Sequence, residues 1–182
     1  MVHLAAIALG SNLGNSRMIL EAALDRLDKI PGITVKVKSH LYQTAPVGPP
    51  QPDYLNACAV LSTTLPPEVL MQMLLEVEAK FGRVRRERWG ARTLDLDLLL
   101  YDDLILNQPH LQIPHPRMID RAFVLIPLAE IAPDWVDPIS QQTIATLAHK
   151  VDASGVTQLP HPDDKPQILS QPDLTPIPDP DS

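Results

Sequence analysis

The sequence predicts an α+β fold. It reads as a ferredoxin-like βαββαβ core, with an antiparallel sheet carrying helices on one face, followed by a C-terminal helical extension. Three observations carry this reading. Four mostly apolar stretches have strand character. Two stretches with apolar residues at helical spacing separate the first from the second and the third from the fourth. Proline and glycine clusters punctuate the junctions.

Val2–Leu9 is the first strand. Gly10-Ser11-Asn12-Leu13-Gly14-Asn15 reads as a turn, and Asn15 or Ser16 can cap a helix. Leu20, Ala23, Leu24, Leu27 and Ile30 then form a helical stripe that Pro31-Gly32 stops. Ile33–Tyr42 alternates, with Ile33, Val35 and Val37 on one face and Lys36 and Lys38 on the other. A loop over 43–53 is stiffened by four prolines. Tyr54–Thr64 is the third strand. Pro66 and Pro67 suit a first helical turn, Leu70, Leu74, Val77 and Phe81 form its buried stripe, and Gly82 ends it. Leu94–Tyr101 is the fourth strand, and Asp120–Ile131 is one more helix, after the loop Ile113-Pro114-His115-Pro116. Residues 156–182 hold seven prolines, five aspartates and no aromatic residue, a composition that predicts a disordered tail behind a domain over 1–155.

Composition narrows the function. At 182 residues and 45% hydrophobic, the chain can build one sizeable core. No apolar run is long enough to span a bilayer, Met1–Leu9 has no signal-peptide pattern, and the single cysteine, Cys58, fits a reducing compartment, so the expectation is a cytoplasmic protein. Cys58 lies in an apolar stretch and reads as a buried thiol. The net charge of -7 and pI of about 5.2 argue against a polyanion partner. Yet five of the 15 cationic residues, Arg83, Arg85, Arg86, Arg88 and Arg92, fall within ten positions. That local cluster suits a small anion.

Directly after it come Asp95 and Asp97. Two carboxylates at i and i+2 of a strand share a face, with Leu94, Leu96, Leu98 and Leu100 on the other. Two adjacent anions repel unless a cation lies between them. Hard carboxylate oxygens that leave positions for water and phosphate are a Mg²⁺ donor set. A D-x-D pair alone is more often a solvated strand end, and an arginine loop alone is more often salt-bridged surface. Arginines for phosphate oxygens beside carboxylates for a metal are what phosphoryl transfer requires, because that chemistry is mostly positioning and charge neutralisation. Trp89, beside Gly90 in a charged segment, can close over a flat ring. Tyr54 and Asn56 share a strand face and can stack on and read a heterocycle, with Phe123 as a second ring. His115, between two prolines, can donate a hydrogen bond to a polyphosphate.

These residues resemble the 6-hydroxymethyl-7,8-dihydropterin pyrophosphokinases of folate biosynthesis. The matching stretches are Ala8-Leu9-Gly10-Ser11-Asn12-Leu13-Gly14, Tyr42-Gln43-Thr44-Ala45-Pro46-Val47-Gly48, Gln51-Pro52-Asp53-Tyr54-Leu55-Asn56, Gly82-Arg83-Val84-Arg85 through Arg88-Trp89-Gly90-Ala91-Arg92-Thr93-Leu94-Asp95-Leu96-Asp97, and Ile113-Pro114-His115-Pro116-Arg117-Met118 with Arg121-Ala122-Phe123. The resemblance implies transfer of a diphosphoryl group from ATP to the pterin hydroxymethyl oxygen, with release of AMP. It implies two Mg²⁺ ions on Asp95 and Asp97, and Arg83, Arg92 and Asp97 as the catalytic set. It places the pterin among Thr44, Val47, Tyr54, Asn56, Trp89 and Phe123. It places the nucleotide near Glu78, Arg83, Arg85, Trp89, Arg92, His115 and Arg121. The implied partners are ATP and the pterin, with no nucleic acid and no membrane, and a monomer. Ala91 and Ala45 stand where the family often has proline.

Two other readings compete. A ferredoxin-like nucleic-acid-binding module would use the Arg83–Arg92 loop on a phosphate backbone, but 4% aromatic content and the acidic pI oppose it. A regulatory metabolite-binding domain leaves the aspartate pair unexplained.

Overall fold

The computed structural model describes residues 1–46, 50–82 and 93–161. The two longest strands, β1 (His3–Ser11) and β4 (Tyr54–Thr63), pair with each other at the centre of the sheet. β5 (Asp95–Tyr101) lies on the far side of β1. Beyond β4 lie β2 (Ile33–Lys38) and β3 (Tyr42–Thr44), which pair with successive lengths of it, and β8 (Val156–Gln158) pairs with β3. Every ladder is antiparallel, and the order β5-β1-β4-β2/β3 is that of the predicted βαββαβ core.

The central strands are apolar on both faces, so the sheet requires cover on both sides. α1 (Ser16–Asp28) and α2 (Pro67–Lys80) supply one side. Leu20, Ala23, Leu24 and Leu27 of α1, with Leu70, Leu74 and Val77 of α2, pack on Ile7, Leu9, Leu61, Leu96 and Leu98. The caps follow the sequence reading. The Asn15 side chain accepts from Met18 N at 3.2 Å, and Pro66–Pro67 opens α2. Gly82 leaves α2 at φ +75°, a left-handed conformation that favours glycine. The extension supplies the other side. α3 (Ala122–Ile131) and α4 (Ile144–Lys150, capped by Thr143) place Val124, Leu125, Leu128, Ile144 and Leu147 on Ala6, Ala8, Cys58 and Val60.

Several elements differ from expectation. The predicted strand Ile33–Tyr42 is broken into β2 and β3. At the break the Ser39 hydroxyl accepts from Cys58 N at 2.9 Å while Ser39 N donates to Cys58 O, so a side chain takes over a ladder position. In β5, Leu98 is opposite Ile7 but Leu100 is opposite Ala6, so Leu99 is an extra residue. This bulge moves Leu100 out of the face shared by Leu94, Leu96 and Leu98 and into the α3 core. The helix predicted from Asp120 begins at Ala122, after a 3₁₀ turn over Met118–Asp120. The hairpin β6 (Leu106–Gln108) and β7 (Leu111–Ile113) was not expected, and neither was α4. The boundary of the predicted tail also moves. Residues 156–158 are a strand, because Leu159 N donates to Leu41 O at 2.8 Å and a free edge of β3 is there to be paired; the rest of that tail, 162–182, lies outside the described residues.

Candidate active site

Pleating and register assemble the site. Asp95 is opposite Gly10, Gly10 is opposite Asn56, and Asn56 is opposite Tyr42. One step along, Asp97 is opposite Ala8 and Ala8 is opposite Cys58; one step the other way, Tyr54 is opposite Thr44. Side chains in register share a face, so Asp95, Asp97, Asn56, Tyr54 and Thr44 all project to the side of α3. Strands lie about 4.8 Å apart, so the aspartate pair and Asn56 are separated by roughly 10 Å.

The residues between them are small for a reason. A Cβ on Gly10 would lie 3.1 Å from Asn56 Nδ2, tighter than ordinary packing. Gly10 therefore admits the amide, and Ala8 keeps the floor low beside Asp97. Asn56 is 8% exposed and its Oδ1 has no hydrogen-bond partner among the described residues; the same holds for Thr44 Oγ1. Buried acceptors are normally satisfied, and orphans of this kind mark a place for a ligand. α3 covers only the deeper part of this face. Cys58 Sγ donates to Val124 O at 3.5 Å, fixing the helix over Cys58, and Phe123 at its first turn is partly buried against the same cluster. The Arg121 guanidinium carbon lies 5.5 Å from the Phe123 ring centre. Burial and then the nearby Glu130 push the Cys58 thiol above its ordinary range, so it stays protonated and is not a nucleophile.

His115 sits at the outer edge of β5, with its backbone N donating to Leu99 O at 2.9 Å. Arg117 N donates to His115 Nδ1 at 3.2 Å, so in the neutral ring the proton is on Nε2. Burial lowers its pKa below 6.5; Asp97 opposes that shift, and Arg121 and Arg117 reinforce it. Between the lowered folded value and 6.5 the unfolded chain binds more protons, so this group's contribution is complete above pH 6.5 and is lost as pH falls through that window. Urea unfolding at pH 5 and pH 7.5 checks this. The loss of stability on acidification is expected to be smaller in His115→Gln than in the parent, and an equal loss contradicts it.

Glu78 was expected at the nucleotide. It lies in the α2 layer, 6% exposed, and its Oε1 accepts from Leu96 N at 2.7 Å, so its described contact holds the start of β5 between the two aspartates. Val47, Arg83, Arg85, Trp89 and Arg92 lie outside the described residues, as do Arg86 and Arg88. The positions flanking 83–92 are close to each other, with Thr93 Oγ1 donating to Gly82 O at 3.5 Å. Among the described residues no group of three or more His, Cys, Asp or Glu could hold a metal ion; Asp95 and Asp97 are a pair.

Sequence reasoning missed two residues that position the site. Asn12, read as part of a turn, is 2% exposed and donates from Nδ2 to Gln51 Oε1 at 3.0 Å and to Pro52 O at 3.2 Å. It ties the end of β1 to the segment that leads into Tyr54. Glu130, the single acid in α3, accepts from Tyr42 OH at 2.6 Å and from His40 N at 3.0 Å. It ties the helix of Phe123 to the strand of Thr44. Burial first, and then the Glu130 hydrogen bond, hold the Tyr42 phenol well above its ordinary pKa, so it remains the donor at any physiological pH. Tyr42→Phe is expected to cost about 1.5–3 kcal/mol in denaturant unfolding, the range for a hydrogen bond to a charged group. No loss would mean that Glu130 finds another donor.

The family model for 7,8-dihydro-6-hydroxymethylpterin-pyrophosphokinase (HPPK) matches residues 6–133. The chain belongs to this family. A Synechocystis sp. relative, named 2-amino-4-hydroxy-6-hydroxymethyldihydropteridine pyrophosphokinase, is 51% identical over 154 residues, 85% of this chain and 79% of the relative. A Methylorubrum extorquens relative of the same name is 41% identical over 156 residues, 85% of this chain and 98% of the relative. The crystal structure of wild-type Plasmodium falciparum HPPK-DHPS with pteroate superposes at a TM-score of 0.68 with 14% identity, over 82% of this chain and 42% of that one. The chain thus spans less than half the length of that protein, and the likeness concerns the fold. The HPPK match contains every site residue named from the sequence and ends before α4 and β8. Among the described residues no helix is long and apolar enough to cross a membrane.

Proposed function

We propose that this HPPK-family chain transfers a diphosphoryl group from ATP to the hydroxymethyl group of 6-hydroxymethyl-7,8-dihydropterin, giving AMP and the pterin diphosphate in folate biosynthesis. The observation that carries this reading is the shared sheet face. The orphaned buried acceptor of Asn56 stands roughly 10 Å from a carboxylate pair, and that of Thr44 lies one strand farther out. The family supports the chemistry, and the separation suits a flat heterocycle whose reactive arm must reach a metal-bound polyphosphate.

Asn56 Oδ1 and Thr44 Oγ1 accept from the N–H edge of the pterin, Val47 is a further pterin contact that the family resemblance implies, and the ring stacks between Tyr54 and Phe123. Asp95 and Asp97 fit Mg²⁺: two hard oxygen donors, half-buried, opposite Gly10 and Ala8, which leave room for further ligands. They would hold two ions, whose chemistry is to neutralise phosphate charge and orient the chain of phosphates. The hydroxymethyl oxygen attacks the β-phosphorus, an O–P bond forms, the bond from the β-phosphorus to the α,β-bridging oxygen breaks, AMP departs, and the hydroxyl proton is lost to solvent. Arg83 and Arg92 pair with phosphate oxygens, His115 donates from Nε2, and Arg121 adds positive charge. Arg85 and Trp89 would contact the nucleotide, and Trp89 the pterin as well, as the family resemblance implies. Glu78 serves the site by holding β5. A single domain, now extended to residue 161, carries this activity as a cytoplasmic monomer. With the purified chain, Mg²⁺, ATP and the pterin, AMP is the expected nucleotide product; ADP, or no product, sinks the proposal. A nucleic-acid-binding reading finds no support in the family or in the acidic pI.

A further inference from the structure

β8 lies beyond the family match at residues 6–133 and beyond the residues that carry the resemblance. It nevertheless touches the strand that holds Thr44. β3 is three residues long, is separated from β2 by the break at Ser39, and runs at Thr44 into a proline-containing segment. A strand this short has little stability of its own. One edge is paired with β4 and the other with β8, where Thr44 is opposite Val156, Gln43 opposite Thr157 and Tyr42 opposite Gln158.

The hydrogen-bond pattern follows from one measured contact. Leu159 N donates to Leu41 O at 2.8 Å, so that pair is of the hydrogen-bonded kind. Antiparallel pairs alternate, which makes Gln43–Thr157 the next hydrogen-bonded pair and Thr44–Val156 a close side-chain pair. Val156 therefore flanks Thr44 on the site face. Gln43 projects to the opposite face, where its Nε2 donates to Asp53 Oδ2 at 2.7 Å, next to Tyr54. β8 is itself anchored at both ends. Val156 N donates to Ala153 O at 3.0 Å, and Arg17 Nη2 donates to Pro160 O at 3.4 Å from α1.

We propose that β8 is a positioning element of the pterin subsite: its ladder to β3 holds Thr44 at the depth where Oγ1 meets the substrate. The proposal rests on the reading of Thr44 and Asn56 as the pterin edge. Without β8, β3 becomes a frayed edge strand, and the substrate must order it on binding. Ordering a strand with its side chains weakens binding by roughly three- to tenfold.

The test uses the full-length chain. Thr157→Pro removes the backbone donor opposite Gln43 of β3 and, separately, Leu159→Pro removes the donor to Leu41 just before β3, while Thr157→Val keeps the donor. KM for the pterin, KM for ATP and kcat are measured, with thermal melting alongside. Each proline variant is expected to raise the pterin KM roughly three- to tenfold. KM for ATP and kcat stay within about twofold, and Thr157→Val behaves as the parent. Unchanged pterin KM in both proline variants overturns the proposal. So does an equal rise in both substrates' KM, which would show β8 acting on the fold as a whole. Failure of the parent chain to use the pterin at all instead sinks the functional reading on which the subsite rests.

Discussion

Asp97→Ala is expected to lower kcat by on the order of a thousandfold or more while the protein melts within a few degrees of the parent. The reasoning starts from the strand. Asp97 faces α3, opposite Ala8, and is only half-buried, so the core loses no apolar contact when its side chain is cut back. Its backbone stays in the ladder with β1. The catalytic loss is large because the proposed metal platform on this face is two carboxylates, and alanine removes one of them. Asp97→Asn sharpens the point, since it keeps the shape and removes the charge. AMP formation and a thermal melt on the same preparation decide it. A variant that turns over at a tenth of the parent rate would mean the metals are held elsewhere, and a collapsed melt would mean Asp97 is structural.

The second large effect is at Asn56. Asn56→Ala is expected to weaken pterin binding by about 10- to 100-fold, equivalent to roughly 1.5–3 kcal/mol, because the acceptor that reads the ring edge is gone. Its cost in folding stability is smaller, about 1 kcal/mol, for a definite reason. Asn56 Oδ1 has no described partner to lose, so the folded chain already carries the penalty of a buried orphan. ATP affinity is expected to be unchanged, since the aspartate pair stands two strands away. Calorimetric titration of the pterin and of an ATP analogue separates the two. Equal losses for both ligands, or none for the pterin, would remove Asn56 from the subsite. The combination of a small folding cost and a large binding cost is what distinguishes a binding residue from a packing residue at the same depth.

Much of this was legible along the chain. Asp95 and Asp97 had to share a face because a strand has period two, and the caps at Asn15 and Pro66–Pro67 and the stop at Gly82 depend on local backbone chemistry. The helical stripes of α1 and α2 were plain in the spacing of their leucines. The short elements were not legible. β3 and β8 are three residues each, too few to show a period, and each exists only because the other and β4 offer an edge. The β5 bulge that sends Leu100 to the opposite core depends on how β1 and β5 twist against each other, which no count along one strand reveals.

The segment 82–97 shows where the division lies. Sequence alone determined that it carries five arginines followed by two carboxylates, because charge and strand period are properties of the chain itself. Tertiary structure alone decided what those carboxylates face. The β1–β4–β5 register places Gly10 and Asn56 in line with Asp95, and Glu78 reaches from the other layer to hold Leu96 between the aspartates. The Tyr42–Glu130 hydrogen bond joins β3 to α3 across 88 residues of sequence. Contacts of that range are set by the packing of the sheet between its two helical layers, and by nothing local to either residue.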